Sequence, residues 1–245
     1  MSDLASPPLR RIQRIRHELH RRDLEVTRVE RLSPHFVAIT LHGDSLANFR
    51  SDSFDDHVKV FFDDTPGEPA RRDYTPRSFN VQRLELTLEF ALHGSGAASD
   101  WARQAAVGQR LVVAGPRGSM VIPVDYDWHL LIGDATALPA VHRRLEELPP
   151  EARVIALLQV DDAADRRLFP EQMQVQWVET TAELQAAVAA LTLPEGEGFA
   201  WAAGEASAMA AVRPLLVAKG LTKEALKVAA YWKAGAEAFH ETLEA

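Results

Sequence analysis

Along the first half of this chain apolar residues alternate with polar ones, and near Tyr126 the alternation stops. "RLELTLEFALH", residues 83–93, places Leu84, Leu86, Leu88, Phe90 and Leu92 on one face with mostly polar residues opposite, the period of a half-buried strand. "LEVTRV", "FVAITL", "HVKVFF" and "QRLVVAG" are further strand-like runs. About six antiparallel strands with short turns are expected between Leu24 and Pro123, in a small barrel or sandwich. Beyond Tyr126, "WHLLIGD", "ARVIALLQV", "QVQWV", "EGFAWAAG" and "LKVAAYW" are short, apolar and mostly unalternating, as strands buried on both faces are. Helical patterns at 138–148, 182–191 and 205–219 separate most of them, and strand alternating with helix implies a parallel doubly wound sheet. The expected architecture is an antiparallel six-stranded β-barrel domain over 24–125, then a doubly wound parallel α/β domain over 126–245. Residues 1–23 precede them as a basic arm or helix.

Composition narrows the chemistry. With 245 residues, 47% of them apolar, the chain has material for two cores. A net charge of −8 argues against a nucleic-acid partner. The absence of cysteine removes disulfides, thiolate metal sites, cysteine-ligated iron–sulfur clusters and cysteine nucleophiles. There is "HELH" at His17 and His20 but no H-E-x-x-H, and no protein-bound metal is expected. The N-terminus has no apolar signal region, and no apolar run approaches the roughly 20 residues of a spanning helix. The expectation is a cytoplasmic monomer without stable membrane insertion. Arg10, Arg11, Arg14, Arg16, Arg21 and Arg22 crowd the N-terminus; in an otherwise acidic chain, an arm packed on its own domain fits them better than a membrane or nucleic-acid contact.

Five segments carry candidate chemistry. "LLIGDATALPA" and "WAAGEASAM" each run from a strand through glycine and a carboxylate into a helix, at Gly133–Asp134 and Gly204–Glu205. In an open α/β sheet ligands bind beyond the carboxyl ends of the strands, so both turns are binding positions, although a plain tight turn explains them equally well. "HGSGAASDWA" nearly spells G-x-G-x-x-G, but it follows an alternating strand and lacks the acidic residue about 20 positions on that a Rossmann fingerprint needs. What remains is a loop of small residues opening a helix, either a phosphate cradle or an ordinary capped start. In "RRDYTPRSFN", Arg72, Tyr74 and Thr75 form R-x-Y-T, which suits a flavin: arginine for a diphosphate, a ring to stack on the isoalloxazine, a hydroxyl near N5. "LHGDSL" matches a hydrolase pattern at Ser45, with Glu237 and His240 as partners. An alternating strand before Ser45 and no helical period after it favour a strand end and turn.

Taken together these segments resemble the ferredoxin–NADP reductase superfamily, and within it the siderophore-interacting protein family, the ferric-siderophore reductases. The resemblance runs from about Leu24 to Gly235, through "DDHVKV", "RRDYTPRSFN", "LHGSGAASDWA", "GPRGS", "GDATALPA", "WAAGEA" and "YWKAG". It implies FAD held by Arg72, Tyr74, Thr75, Arg77, His93, Gly94, Ala98 and Ser99. It implies a nicotinamide donor, NADH or NADPH, near Gly133, Asp134, Thr136, Gly204 and Glu205, or reduced ferredoxin in its place. By the same match Lys59, Arg117 and Lys233 dock a ferric siderophore, and no catalytic residue is assigned. Ala97 departs from the family's usual proline, Ala135 from glutamate and Lys233 from arginine. A general flavin reductase serving another enzyme, and a flavin-free siderophore carrier, are the alternatives.

Overall fold

The computed structural model describes residues 11–62, 70–92, 94, 96–170 and 173–236. Fourteen strands and four α-helices lie among them. The barrel half contains β1 (Gln13–Arg16), β2 (Arg21–Ser33), β3 (Phe36–His42), β4 (Val58–Phe62), β5 (Ala70–Tyr74), β6 (Pro76–Asn80), β7 (Glu85–Ala91), α1 (Ala97–Gln104), β8 (Arg110–Ala114) and β9 (Gly118–Val121). The second half contains β10 (Trp128–Gly133), α2 (Leu138–Glu147), β11 (Val154–Gln159), β12 (Gln174–Val178), α3 (Thr181–Ala190), β13 (Gly198–Glu205), α4 (Ala206–Ala218) and β14 (Leu226–Trp232).

The first half is a seven-stranded antiparallel sheet in the order β5-β4-β8-β2-β3-β7-β6, where the sequence implied six. The extra strand comes from "ARRDYTPRSFN", which forms two strands instead of one. Thr75 falls between them, and they lie at opposite edges of the sheet. The segment therefore crosses the seam where the curled sheet closes. Pro76, with no N–H to give a ladder, opens β6, a position where a strand tolerates proline. The alternation read from the sequence is the burial pattern: Leu86, Leu88 and Phe90 are fully buried and meet Leu24, Val26, Ile39, Leu41 and Val60 in one core. Each such side chain contributes about 1.5–3 kcal/mol. Near the N-terminus Gln13–Arg16 is a strand paired antiparallel with β9, not a helix; residues 1–10 lie outside the described residues.

The second half is a five-stranded parallel sheet in the order β12-β11-β10-β13-β14, made from the five runs read in the sequence. The chain's order reverses between β10 and β13, so the crevice at their carboxyl ends is the switch point where such sheets bind ligands. α3 and α4 cover one face through Leu184, Val188, Met209, Val212 and Leu216. α2 covers the other, within a core that also takes Phe36, Phe54 and Ile122 from the barrel half.

Polar ties cross the same junction. The buried Arg143 of α2 donates to the Ser51 hydroxyl (2.8 Å), the Ser51 carbonyl (2.9 Å) and the Pro76 carbonyl (3.0 Å). Asp55 accepts from Trp201 Nε1 (3.1 Å), from Ser53 Oγ (2.8 Å) and from Lys227 Nζ. Burial alone would raise the Asp55 carboxyl, but the Lys227 charge and these donors hold it below the usual carboxylate range. A buried charge left without such partners is strongly destabilising.

Candidate active site

Phe90 brings the two barrel motifs together. The Tyr74 ring lies 4.3 Å from Phe90, and Phe90 lies 5.6 Å from Trp101 of α1. Tyr74, at the end of β5, thus shares an aromatic cluster with the helix opened by the small-residue loop. Cross-strand register puts Arg72 opposite Val60 and Tyr74 opposite Val58, so both arginine and tyrosine lie on the core face of the β4–β5 ladder. Burial raises the Tyr74 phenol far above its ordinary value. Arg72 donates to the Arg71 carbonyl (2.9 Å) and has no carboxylate partner among the described residues. Thr75 is buried at the seam, facing the Tyr231 hydroxyl at the end of β14.

The loop before α1 has the geometry of a cradle. Gly94 (φ +46°) and Gly96 (φ +157°) take backbone conformations that side chains disfavour, and an added Cβ at either would meet nothing within 4 Å. Gly96 is the N-cap of α1 and brings no side chain of its own to the helix N-terminus. Two residues that sequence reasoning missed hold the loop. Asp100 accepts from Gly96 N (3.1 Å), while Arg103 donates to Asp100 (2.8 Å) and to the carbonyls of Gly94 (2.6 Å) and Leu92 (3.3 Å). Their spacing of three on one helix was the available signal. Ala98 and Ser99 lie in the first turn of α1, and His93 lies outside the described residues. These features fit FAD: a helix N-terminus capped by glycine and an arginine for the diphosphate, a tyrosine ring for the isoalloxazine.

Arg77 stands apart from this group. Its two terminal nitrogens each donate to Glu146 of α2 at 2.7 Å, and its Nε lies 3.3 Å from Glu89. Its charge is spent within the protein, as a tie between β6 and α2.

At the switch point the two turns read in the sequence do meet, and they fill each other. Asp134 Oδ1 accepts from the backbone N–H (2.9 Å) and hydroxyl (2.6 Å) of Thr136. Its Oδ2 accepts from Glu205 N (2.7 Å) and from the indole of Trp232 (2.8 Å). A Cβ at Gly133 would lie 2.4 Å from Ala137 Cβ and 2.9 Å from the Ala203 carbonyl; one at Gly204 would lie 2.6 Å from Asp134 Oδ2. Both glycines are explained by the chain's own close packing. Glu205 is the N-cap of α4, accepting from Ser207 N (2.7 Å) and Ala208 N (3.0 Å), which holds its carboxyl below the usual range although burial opposes this. The N-terminus of α4 therefore already carries an anion.

Lys59, Arg117 and Lys233 come from three segments. Lys59, on β4, pairs with Asp73 of β5. Arg117 is exposed just beyond β8, where its carbonyl accepts from His17 N (3.0 Å). Lys233 is exposed just beyond β14. Ser45 sits in a short 3-10 turn with its carbonyl on the buried Arg22 (2.8 Å), and Glu237 and His240 lie outside the described residues.

Comparison with known proteins follows the same division of the chain. Residues 126–235 match the model of the siderophore-interacting protein family, and residues 25–71 and 64–120 match that of the siderophore-interacting FAD-binding domain. The chain is 36% identical to an NADPH-dependent ferric-chelate reductase of Escherichia coli, covering 91% of this chain and 96% of that protein. It is 30% identical to a ferric vibriobactin reductase of Vibrio cholerae, covering 89% and 92%. A crystal structure of a siderophore utilization protein from T. fusca superposes with a TM-score of 0.88 at 36% identity, covering 94% and 99%.

Proposed function

The chain belongs to the siderophore-interacting protein family, and on that premise we propose that it is an FAD-dependent ferric-siderophore reductase with NADPH as electron donor. The observation that carries this reading is the Tyr74–Phe90–Trp101 cluster, which joins the R-D-Y-T strand to a helix N-terminus capped by glycine. FAD, when bound, supplies the passage from a hydride's electron pair to a one-electron acceptor such as Fe(III). Arg72 and the backbone N–H groups at the start of α1, about Gly94, Ala98 and Ser99, hold its diphosphate. Tyr74 packs on its ring and Thr75 presents a hydroxyl at the seam. His93 remains assigned to this set by resemblance alone. Arg77 serves the site indirectly, by fixing β6 to α2.

Gly133, Asp134, Thr136, Gly204 and Glu205 build the wall of the donor cleft. Because Asp134 and Glu205 are engaged within the protein, they act by shape and by fixing Trp232. Lys59, Arg117 and Lys233 dock the ferric siderophore, which is the substrate and is too bulky for a closed pocket. The choice of NADPH rests on the named activity of the Escherichia coli relative. Among the described residues no helix is long and apolar enough to cross a membrane.

The test is direct. Purified protein, reconstituted with FAD if needed, is given NADPH, NADH or reduced ferredoxin under anaerobic conditions with a ferric chelate and a ferrous-iron trap. Flavin absorption in the visible and NADPH-dependent trapping of Fe(II) are expected. A protein that binds ferric chelate but cannot be loaded with FAD would be a carrier, and this reading would fall.

A further inference from the structure

Lys59 meets a fixed counter-charge. It is the cross-strand partner of Asp73 and donates to both carboxylate oxygens, at 2.8 and 3.1 Å. The two side chains are similarly half-buried, 31% and 28% exposed. Backbone register sets the meeting: strand alternation places Lys59 and Asp73 together, opposite the face that carries Arg72 and Tyr74. Asp73 therefore stays within reach of the Lys59 ammonium, and the pair contributes no net charge to the docking patch.

The cancellation bears unequally on different substrates. Attraction between a patch and a ligand scales with the product of their charges. Three hydroxamate groups cancel the charge of Fe(III) and give a neutral complex, whereas three catecholates leave it with three negative charges. Neutralising Lys59 takes little from the first and much from the second. The chain's net charge of −8 acts in the same direction at longer range. We propose that Asp73 is a specificity-determining residue, one that tunes this reductase toward ferric chelates of little or no net charge, of the trihydroxamate class, and away from polyanionic tris-catecholates. The proposal rests on the docking role assigned to Lys59.

Gallium(III) chelates match the ferric ones in charge and do not undergo reduction, so binding can be separated from turnover. The FAD-loaded protein, its Asp73→Asn and Lys59→Ala variants and the double variant are titrated with a gallium trihydroxamate and a gallium tris-catecholate, following tryptophan fluorescence at low and physiological ionic strength. Wild type should bind the trihydroxamate at least as tightly as the tris-catecholate. Asp73→Asn should tighten the tris-catecholate about tenfold at low salt, the effect in water of one unit charge on a trianion centred about 9 Å away, and less at physiological salt. The trihydroxamate should change less than about twofold, and the gain should vanish when Lys59 is also replaced. If Lys59→Ala weakens the tris-catecholate but Asp73→Asn leaves both chelates alone or shifts them equally, docking stands and the role of Asp73 is overturned. If Lys59→Ala moves neither chelate, the docking role itself falls, and this proposal with it.

Discussion

Single residues here are defined by what their atoms already hold. Among the described residues Arg72 meets only a backbone carbonyl, whereas Arg77, five positions on, has two carboxylates. The sequence grouped both with the flavin, because a guanidinium's partners depend on which strand edge it reaches. Replacing Arg72 with alanine should remove a charge-assisted contact of roughly 1.5–3 kcal/mol and weaken FAD about ten- to a hundredfold. The measurement is an FAD titration of the apoprotein, and an unchanged dissociation constant would remove Arg72 from the site. Gly133 shows the opposite relation. Its missing side chain is required by Ala137 and the Ala203 carbonyl, so Gly133→Val should act on stability before it acts on donor binding. Overpacking of this kind costs roughly 1–3 kcal/mol. Thermal unfolding should drop by several degrees, and a variant with wild-type Tm but lost NADPH oxidation would point to a ligand at that turn.

At the scale of elements the two halves differed in how openly they could be read. The five parallel strands and the helices between them follow from apolar runs and 3.6-residue periods, and all appear within a residue or two of their expected bounds. In the barrel half the alternating strands were equally plain. The split of "ARRDYTPRSFN" into β5 and β6 was not, because adjacency in sequence says nothing about opposite edges of a closing sheet. The clamp on the cradle was hidden for a similar reason: Asp100 and Arg103 read as a surface i,i+3 pair until the loop folds back onto them. α1 then does more than offer its N-terminus. Arg103→Ala should loosen the turn at Gly94 and weaken FAD about tenfold, the loss expected of charge-assisted hydrogen bonds, while far-ultraviolet circular dichroism stays as in wild type. Equal FAD affinity in the two proteins would make the clamp ornamental to binding.

Across the whole molecule, stability is tied to acid through groups buried near the junction. Burial and the nearby Arg144 hold the His129 imidazole neutral down to about pH 4. Burial and Arg77 hold His142 neutral down to about 4 as well. In the unfolded chain both take up a proton near pH 6.5. Between those values the unfolded state binds more protons, so stability is full above about pH 6.5 and declines as pH falls toward 4. For His129 the loss amounts to at most about 3 kcal/mol. His129→Gln should therefore narrow the difference in Tm between pH 7.5 and pH 5; an undiminished difference would mean that His129 is not among the groups responsible. The ties across the junction also govern what evolution and engineering can exchange. Asp55 comes from one half and its partners Trp201 and Lys227 from the other, so the three residues form a compatibility group that spans the boundary at Tyr126. A hybrid joining the flavin half of one relative to the donor half of another inherits a working interface only if those three positions are inherited together. Recombination at the obvious boundary, without them, would leave a buried carboxylate without its counter-charge inside the molecule.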